Sequence, residues 1–266
     1  MKLCRFQPLK PEANNRDPRL RHPEQHLGIV EKEIIWEIEG NPWGRRERTG
    51  RQWAIHEIKL LPPSVPTKIV CVGRNYVDHA KELGNEPPKE PLIFFKPPSA
   101  IIAPEEPIVL PTISDRVDFE GELAVIVGRR CRNLAPQESA NTYIAGYTCL
   151  NDVTARDLQK RDGQWTRGKG FDTFCPFGPV IETELDFTSA AVETYVNRVK
   201  KQCAPLSEMI FSVDAIIRWI AQVMTLEPGD VIATGTPAGV GPLAPGDTVE
   251  VRVTGIGTLL NTVIGR

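Results

Sequence analysis

Val117-Asp118-Phe119-Glu120-Gly121-Glu122-Leu123-Ala124-Val125-Ile126-Val127 alternates and then runs apolar and β-branched up to Gly128, which reads as a strand. Residues two apart on a strand share a face, so Glu120 and Glu122 are expected side by side. Two like charges at that separation repel, and beside so apolar a strand they are expensive to desolvate unless something positive lies between them. Asp152, in Leu150-Asn151-Asp152-Val153-Thr154-Ala155-Arg156-Asp157, supplies a third carboxylate. A hard divalent cation is the natural partner of such a set. Ligation by oxygen alone points to Mg²⁺, Mn²⁺ or Ca²⁺ rather than zinc, and the chain has no Cys pair at ligand spacing. Taken alone, the Glu-Gly-Glu triplet reads more simply as a solvated strand face, and the neighbouring motifs turn the balance.

Upstream, Ile69-Val70-Cys71-Val72-Gly73-Arg74-Asn75-Tyr76-Val77-Asp78-His79-Ala80-Lys81-Glu82-Leu83-Gly84 reads as a buried strand, a turn at Gly73 and a short helix stopped by Gly84. His79 and Glu82 are three apart, so one helical turn brings them into contact. An imidazole oriented by a carboxylate is a common way to build a base that activates water, although the same spacing also makes ordinary surface pairs. Of His22, His26, His56 and His79, only His79 directly follows an apolar strand and a Gly turn. Downstream, Trp165-Thr166-Arg167-Gly168-Lys169-Gly170-Phe171 reads as a glycine-rich loop whose lysine can neutralise an anionic intermediate, or simply stand in solvent. The stretch Thr234-Gly235-Thr236-Pro237-Ala238-Gly239-Val240-Gly241 lacks the ending of a phosphate-binding loop and is followed by prolines rather than a helix.

Together these segments resemble the fumarylacetoacetate hydrolase family. Gly73 to His79, Glu120-Gly121-Glu122, Asn151 to Asp157, Lys169, Ser207-Glu208-Met209-Ile210-Phe211 and Thr234 to Gly241 occur in family order, over roughly residues 68 to 266. The resemblance implies Glu120, Glu122 and Asp152 as metal ligands and His79 with Glu82 as a water-activating dyad. It implies Lys169 as the group that polarises a carbonyl or holds an enolate, and Arg74, Arg156, Gln159 and Thr236 as positions that contact substrate or order the site. It also implies a homodimer and a small anionic keto-acid substrate.

Composition limits the alternatives. A net charge of −2 indicates neither nucleic acid nor an acidic membrane as partner. The basic cluster from Arg45 to Arg51 reads as a solvated hairpin loop. Met1 to Pro8 has no apolar core of signal-peptide length, no run approaches a membrane span, and six scattered cysteines fit reduced thiols, so a cytoplasmic protein is expected. The prolines of Leu61-Pro62-Pro63-Ser64-Val65-Pro66 mark a linker between a small strand-rich N-terminal domain, residues 1–67, and a catalytic body, residues 68–266. Leu27 to Val30 and Ile34 to Ile38 read as hairpin strands. Ser212 to Leu226 reads as the best helix, with Ile216, Ile217, Ile220, Val223 and Met224 on its apolar side. With many turns and no βα alternation, the fold class is α+β with a curled, largely β core.

The chemistry expected from the resemblance is cleavage of a carbon–carbon bond in acylpyruvates through a stabilised enolate. Oxaloacetate decarboxylation and 2-oxo acid isomerisation or hydration are alternatives on the same apparatus. A non-catalytic, metal-stabilised binding protein would keep the three carboxylates but have no use for His79, Glu82 and Lys169.

Overall fold

A computed structural model describes residues 1–9 and 24–266, so His22 lies outside the described residues. One large sheet organises them. Its strands run in the order Arg46–Ala54, Ile34–Gly40, His26–Glu31, Lys2–Pro8, Cys175–Glu182, Ile144–Asn151, Gly121–Val127, Val231–Ala233, Ile69–Gly73 and Leu92–Lys96. Neighbours along this path are antiparallel except Val231–Ala233 and Ile69–Gly73, which are parallel. Lys2–Pro8 bonds directly to Cys175–Glu182, so the N-terminal strands extend the same sheet.

One face of the sheet carries a continuous apolar cluster to which neighbouring strands contribute in turn, from Ile38 and Leu3 through Ile181, Phe177, Leu150, Ala124, Ile126 and Val231 to Ile69 and Cys71. Ala124 and Ile126 point to this face, and so, by the two-residue repeat, does Glu122. The opposite face takes two covers. A five-stranded sheet, Val199–Pro205, Ala191–Val196, Thr248–Val253, Gly257–Gly265 and Ile108–Leu110, packs Val192, Val251, Val253 and Leu259 on Leu123, Cys149 and Val180. The helix Val213–Val223 packs Ile216, Ile217 and Ile220 on Val70, Val72, Val125 and Ile232. This is the mixed, mostly β architecture the sequence implies.

Four local readings are corrected. The helix is capped by Ser212, whose Oγ accepts from the Ala215 N–H at 3.3 Å, but it ends at Val223 rather than Leu226: Met224 turns extended and Leu226 bridges to Cys131. Val223 is therefore outside the apolar stripe, 60% exposed. The basic residues Arg46, Arg48 and Arg51 lie on the strand Arg46–Ala54, not in a hairpin loop, with Arg48 and Arg51 pairing with Glu31 and Glu37 across the ladder. Lys169 ends a one-turn helix, Thr166–Lys169, instead of sitting in a glycine loop. Finally, Val117 to Val127 is two strands. Val117–Phe119 belongs to a three-stranded sheet with Thr154–Ala155 and Gly241–Pro242, and Gly121–Val127 to the large sheet. All six cysteines are free. Among the described residues, no helix is long and apolar enough to cross a membrane.

Candidate active site

Glu120 sits where the chain passes from one sheet to the other. Its N–H is held by Asn151 Oδ1 (3.0 Å), and its carbonyl accepts from the Asp152 N–H (2.8 Å). The Gly121 N–H donates to Gln202 Oε1 (3.0 Å), and a Cβ on Gly121 would lie 2.0 Å from Thr194 Oγ1. Only glycine fits this crossing. Gly121→Ala is expected to lower unfolding free energy by about 1–3 kcal/mol, the scale of overpacking, and to weaken metal binding; urea melts with and without Mg²⁺ would measure both. Unchanged midpoints would show that the five-stranded sheet yields.

The break does not separate the carboxylates. Ligand oxygens of Glu120, Glu122 and Asp152 lie within 4.8 Å of one another, and all three residues are buried. Buried charges need partners, and this set has three. Lys169 Nζ donates to Glu120 Oε2 (2.7 Å) and Asp152 Oδ2 (2.5 Å). Arg156 donates to Asp118 Oδ2 (2.9 Å), Gln159 Oε1 (2.8 Å) and Glu120 Oε1 (2.5 Å). Lys96 Nζ lies 2.7 Å from Asp152 Oδ1 and donates to the Val153 carbonyl at 3.0 Å.

Of the four buried carboxylates, with Asp118 included, Asp118 pairs with Arg116 and Arg156, Glu120 with Arg156 and Lys169, and Asp152 with Lys96 and Lys169, whereas Glu122 has no ion-pair partner. Its carboxylate receives the Gly235 N–H at 2.8 Å. Burial, then the charges of Asp152 and Glu120, push its carboxyl well above the usual range. Burial pushes Glu120 the same way, but the charges of Lys169 and Arg156 outweigh it and hold that carboxyl below the usual range. An all-oxygen donor set in which one carboxylate has no cationic partner fits a hard divalent cation.

His79 is 3% exposed, and its Nδ1 meets Glu82 Oε2 at 3.2 Å. Glu82 Oε1 accepts from the Gly239 N–H at 3.0 Å, which fixes the carboxylate from the far side. Thr236 Oγ donates to the Gly121 carbonyl and accepts from Gln202 Nε2, each at 2.8 Å. Backbone amides of the Thr234 to Gly241 stretch therefore hold Glu122 and Glu82, not a phosphate. Asn75 joins this stretch to the strand end: its Nδ2 donates to the Thr234 carbonyl (2.8 Å) and its Oδ1 accepts from the Phe211 N–H (2.8 Å).

The site opens on a cavity of about 390 Å³, lined among others by Arg74, His79, Glu120, Glu122, Asp152, Arg156, Gln159, Lys169 and Thr236. Glu82 stands behind His79 and does not line it. Sequence reasoning missed Asp118, Asn151, Gln202 and Lys96. Lys96 left one signal, a charge closing the apolar run Leu92-Ile93-Phe94-Phe95. Lys96→Met should destabilise the fold by about 3–5 kcal/mol, because it strips one buried partner from Asp152. Calorimetric melting checks this, and a shift of under a degree would mean that Lys169 alone holds Asp152.

Residues 68–264 match the family described as Fumarylacetoacetate (FAA) hydrolase C-terminal, and residues 1–63 match Rv2993c-like, N-terminal. Protein Rv2993c of Mycobacterium tuberculosis is 52% identical over 241 residues, covering 90% of this chain and 91% of its own. A Homo sapiens mitochondrial protein named oxaloacetate tautomerase FAHD2B is 38% identical over 258 residues, covering 92% of this chain and 78% of its own. Among solved structures, a 5-carboxymethyl-2-hydroxymuconate delta-isomerase from Mycobacterium smegmatis superposes with a TM-score of 0.88 at 41% identity, covering both chains completely. A fumarylpyruvate hydrolase from Pseudomonas aeruginosa, in complex with Mn²⁺ and pyruvate, gives 0.71 at 30% identity, covering 78% of this chain and 92% of its own.

Proposed function

The chain belongs to the fumarylacetoacetate hydrolase family, and on that premise we propose that it cleaves the carbon–carbon bond of acylpyruvates, using a divalent cation, Mg²⁺, held by Glu120, Glu122 and Asp152. When bound, the cation supplies a seat for the adjacent oxygens of a 2-oxo acid and the charge that favours its enolate.

The observation that carries hydrolysis is the His79 and Glu82 pair at the cavity wall. Glu82 occupies Nδ1 and is itself pinned by Gly239, so the imidazole keeps one orientation and leaves Nε2 to take a proton from water. The water oxygen bonds to the distal carbonyl carbon. The bond between that carbon and the methylene then breaks, the methylene side keeping the electron pair as pyruvate enolate. Lys169 Nζ, buried against Glu120 and Asp152, donates toward the enolate oxygen, and the proton on His79 Nε2 completes the balance when it is returned to the enolate carbon. Arg156 and Gln159 keep Glu120 in place.

A second reading is tautomerisation of oxaloacetate or isomerisation of a related 2-oxo diacid. It is favoured by the names of the human tautomerase and the mycobacterial isomerase, and it uses His79 Nε2 to move a proton between carbon and oxygen with no water added. Acylpyruvates, fumarylacetoacetate and oxaloacetate assayed side by side with Mg²⁺ separate the two. Release of pyruvate from acylpyruvates supports hydrolysis; oxaloacetate enol–keto conversion without any cleavage overturns it in favour of the second reading.

On this reading residues 68–266 carry the chemistry and residues 1–67 support them, in a cytoplasmic homodimer. The edge strand Leu92–Lys96 leaves Leu92 38% and Phe95 48% exposed, an edge that pairing would protect. Light scattering at micromolar concentration should give twice the chain mass of 29.6 kDa, and a monomer mass would refute it.

A further inference from the structure

Away from the catalytic cavity, a second one of about 320 Å³ lies where the N-terminal strands meet the turn at Pro228 and Gly229. Its charge is one-sided: Arg5 and His26 line it, and no acidic side chain does. Arg5 is half-buried on the strand Lys2–Pro8. Its Nη1 donates to the Pro62 and Ser64 carbonyls, at 2.7 and 3.4 Å, and its Nη2 to Gln25 Oε1 at 2.7 Å. These are neutral oxygens, and among the described residues Arg5 makes no ion pair. Two of its five N–H groups stay free. Burial lowers its pKa with no neighbouring carboxylate to offset the effect, so a lasting positive charge stands without a counter-charge. His26 is 8% exposed and its orientation is fixed: the ring stacks on Phe6 at 5.4 Å, and Nδ1 meets Glu37 Oε2 at 3.4 Å. Its Nε2 has no hydrogen-bond partner, so the fold itself does not supply the polar contact that a buried nitrogen needs. The rest of the wall is flat and apolar. Trp43 is seated against Gly229, where a Cβ would fall 3.6 Å from the indole, and the Pro63 and Pro228 rings line the cavity beside it. Ser64 Oγ donates to the Gly229 carbonyl at 2.9 Å, so the segment that Arg5 holds is also tied to the catalytic body.

We propose that this junction is a second binding site, for a small monocarboxylate with a flat apolar body: the carboxylate takes the free N–H groups of Arg5, and the body lies against Trp43. One guanidinium matches one negative charge and can grip a carboxylate through two N–H groups, whereas a strongly hydrated dianion finds too few donors among an indole and prolines. The volume suits a ligand of this size. Such a ligand touches the N-terminal strands, the proline segment and the Pro228-Gly229 turn at once, so its binding also clamps residues 1–67 onto residues 68–266.

Calorimetric titration of the full chain in Mg²⁺ tests this with four probes: phenylacetate, its neutral isostere phenylacetamide, acetate, which has no apolar body, and inorganic phosphate. Phenylacetate should bind roughly 10-fold or more tighter than phenylacetamide, the scale of a hydrogen bond to a charged group, and should raise the melting temperature as any ligand of the folded state does. Arg5→Gln should abolish the preference for phenylacetate over phenylacetamide. Because that change also loosens the hold on Pro62 and Ser64, Trp43→Ala is the second variant: it leaves the Arg5 hydrogen bonds in place and should weaken phenylacetate roughly 10-fold while leaving acetate binding as it was. Glu122→Gln, altered in the catalytic cavity alone, should bind phenylacetate like the wild type. Equal affinity for phenylacetate and phenylacetamide overturns the proposal, as does phosphate binding as tightly as phenylacetate. Phenylacetate affinity unchanged in both Arg5→Gln and Trp43→Ala also overturns it, and loss of binding in Glu122→Gln would put the ligand in the catalytic cavity instead.

Discussion

Glu122→Gln is expected to lower metal-dependent turnover on the order of 10³-fold, since the several kcal/mol a cation contributes to a developing enolate are lost at about 1.4 kcal/mol per decade. It is the most telling of the three ligand substitutions. Asp152 and Glu120 are each gripped by buried cations, so neutralising either leaves Lys96, Lys169 or Arg156 buried without its counter-charge, and lost activity there could follow from lost structure. Glu122 has no cation to abandon. Its variant should stay folded and, without metal, be more stable than the wild type at alkaline pH. The sign follows from the raised carboxyl: a group that holds its proton more tightly in the folded state contributes stability below its unfolded pKa and loses it as pH rises through the folded value. Metal-free wild type should therefore soften as pH climbs above the usual glutamate range, and Glu122→Gln should not. For the same reason Mg²⁺ binding should expel a proton, visible as a buffer-dependent heat in calorimetry. Full activity of the variant, or of a sample shown by elemental analysis to be metal-free, would remove the acidic cluster from the mechanism.

His79→Ala should reduce acylpyruvate cleavage by roughly 10²-fold or more, the usual contribution of a general base. The fall belongs in kcat, because the ring stands at the cavity wall and is not one of the three residues proposed to hold the metal. Glu82→Gln, which keeps the imidazole but weakens its orientation, should lose less. Decarboxylation of oxaloacetate, which needs no attacking water, should suffer less still. Equal losses in both reactions would show that His79 serves something other than water activation, such as shaping the wall between Arg74 and Thr236.

The chemistry-bearing part of this sequence was unusually legible, and for a physical reason. Glu120 with Glu122 and His79 with Glu82 are short-range pairs, whose mutual placement follows from strand or helix geometry. What stayed hidden works at long range. Lys96 meets Val153 across 57 residues and Gln202 reaches Gly121 across 81, and no periodicity within either segment announces those meetings. The same holds for the misread strand. Alternation predicts an extended backbone through Glu120 and finds one, but it carries no information on which sheet each half joins; the crossing is imposed by Asn151, Gln202 and Thr194. The flanking Gly168 and Gly170 predict a loop at Lys169, yet the Lys169 N–H closes a helical turn onto the Trp165 carbonyl.

That crossing at Glu120 and Gly121 also governs when the site can exist. The amide that holds Glu122 comes from 113 residues further along the chain, and the one that fixes Glu82 from 157 further. Closures of that span are late events in folding, reached only after the sheets that bring the segments together have formed. The carboxylates themselves come from neighbouring strands, but the amides that hold Glu122 and Glu82 arrive only with those closures. A cation that needs the finished arrangement rewards the complete fold by mass action, so added Mg²⁺ is expected to slow unfolding more than it speeds refolding.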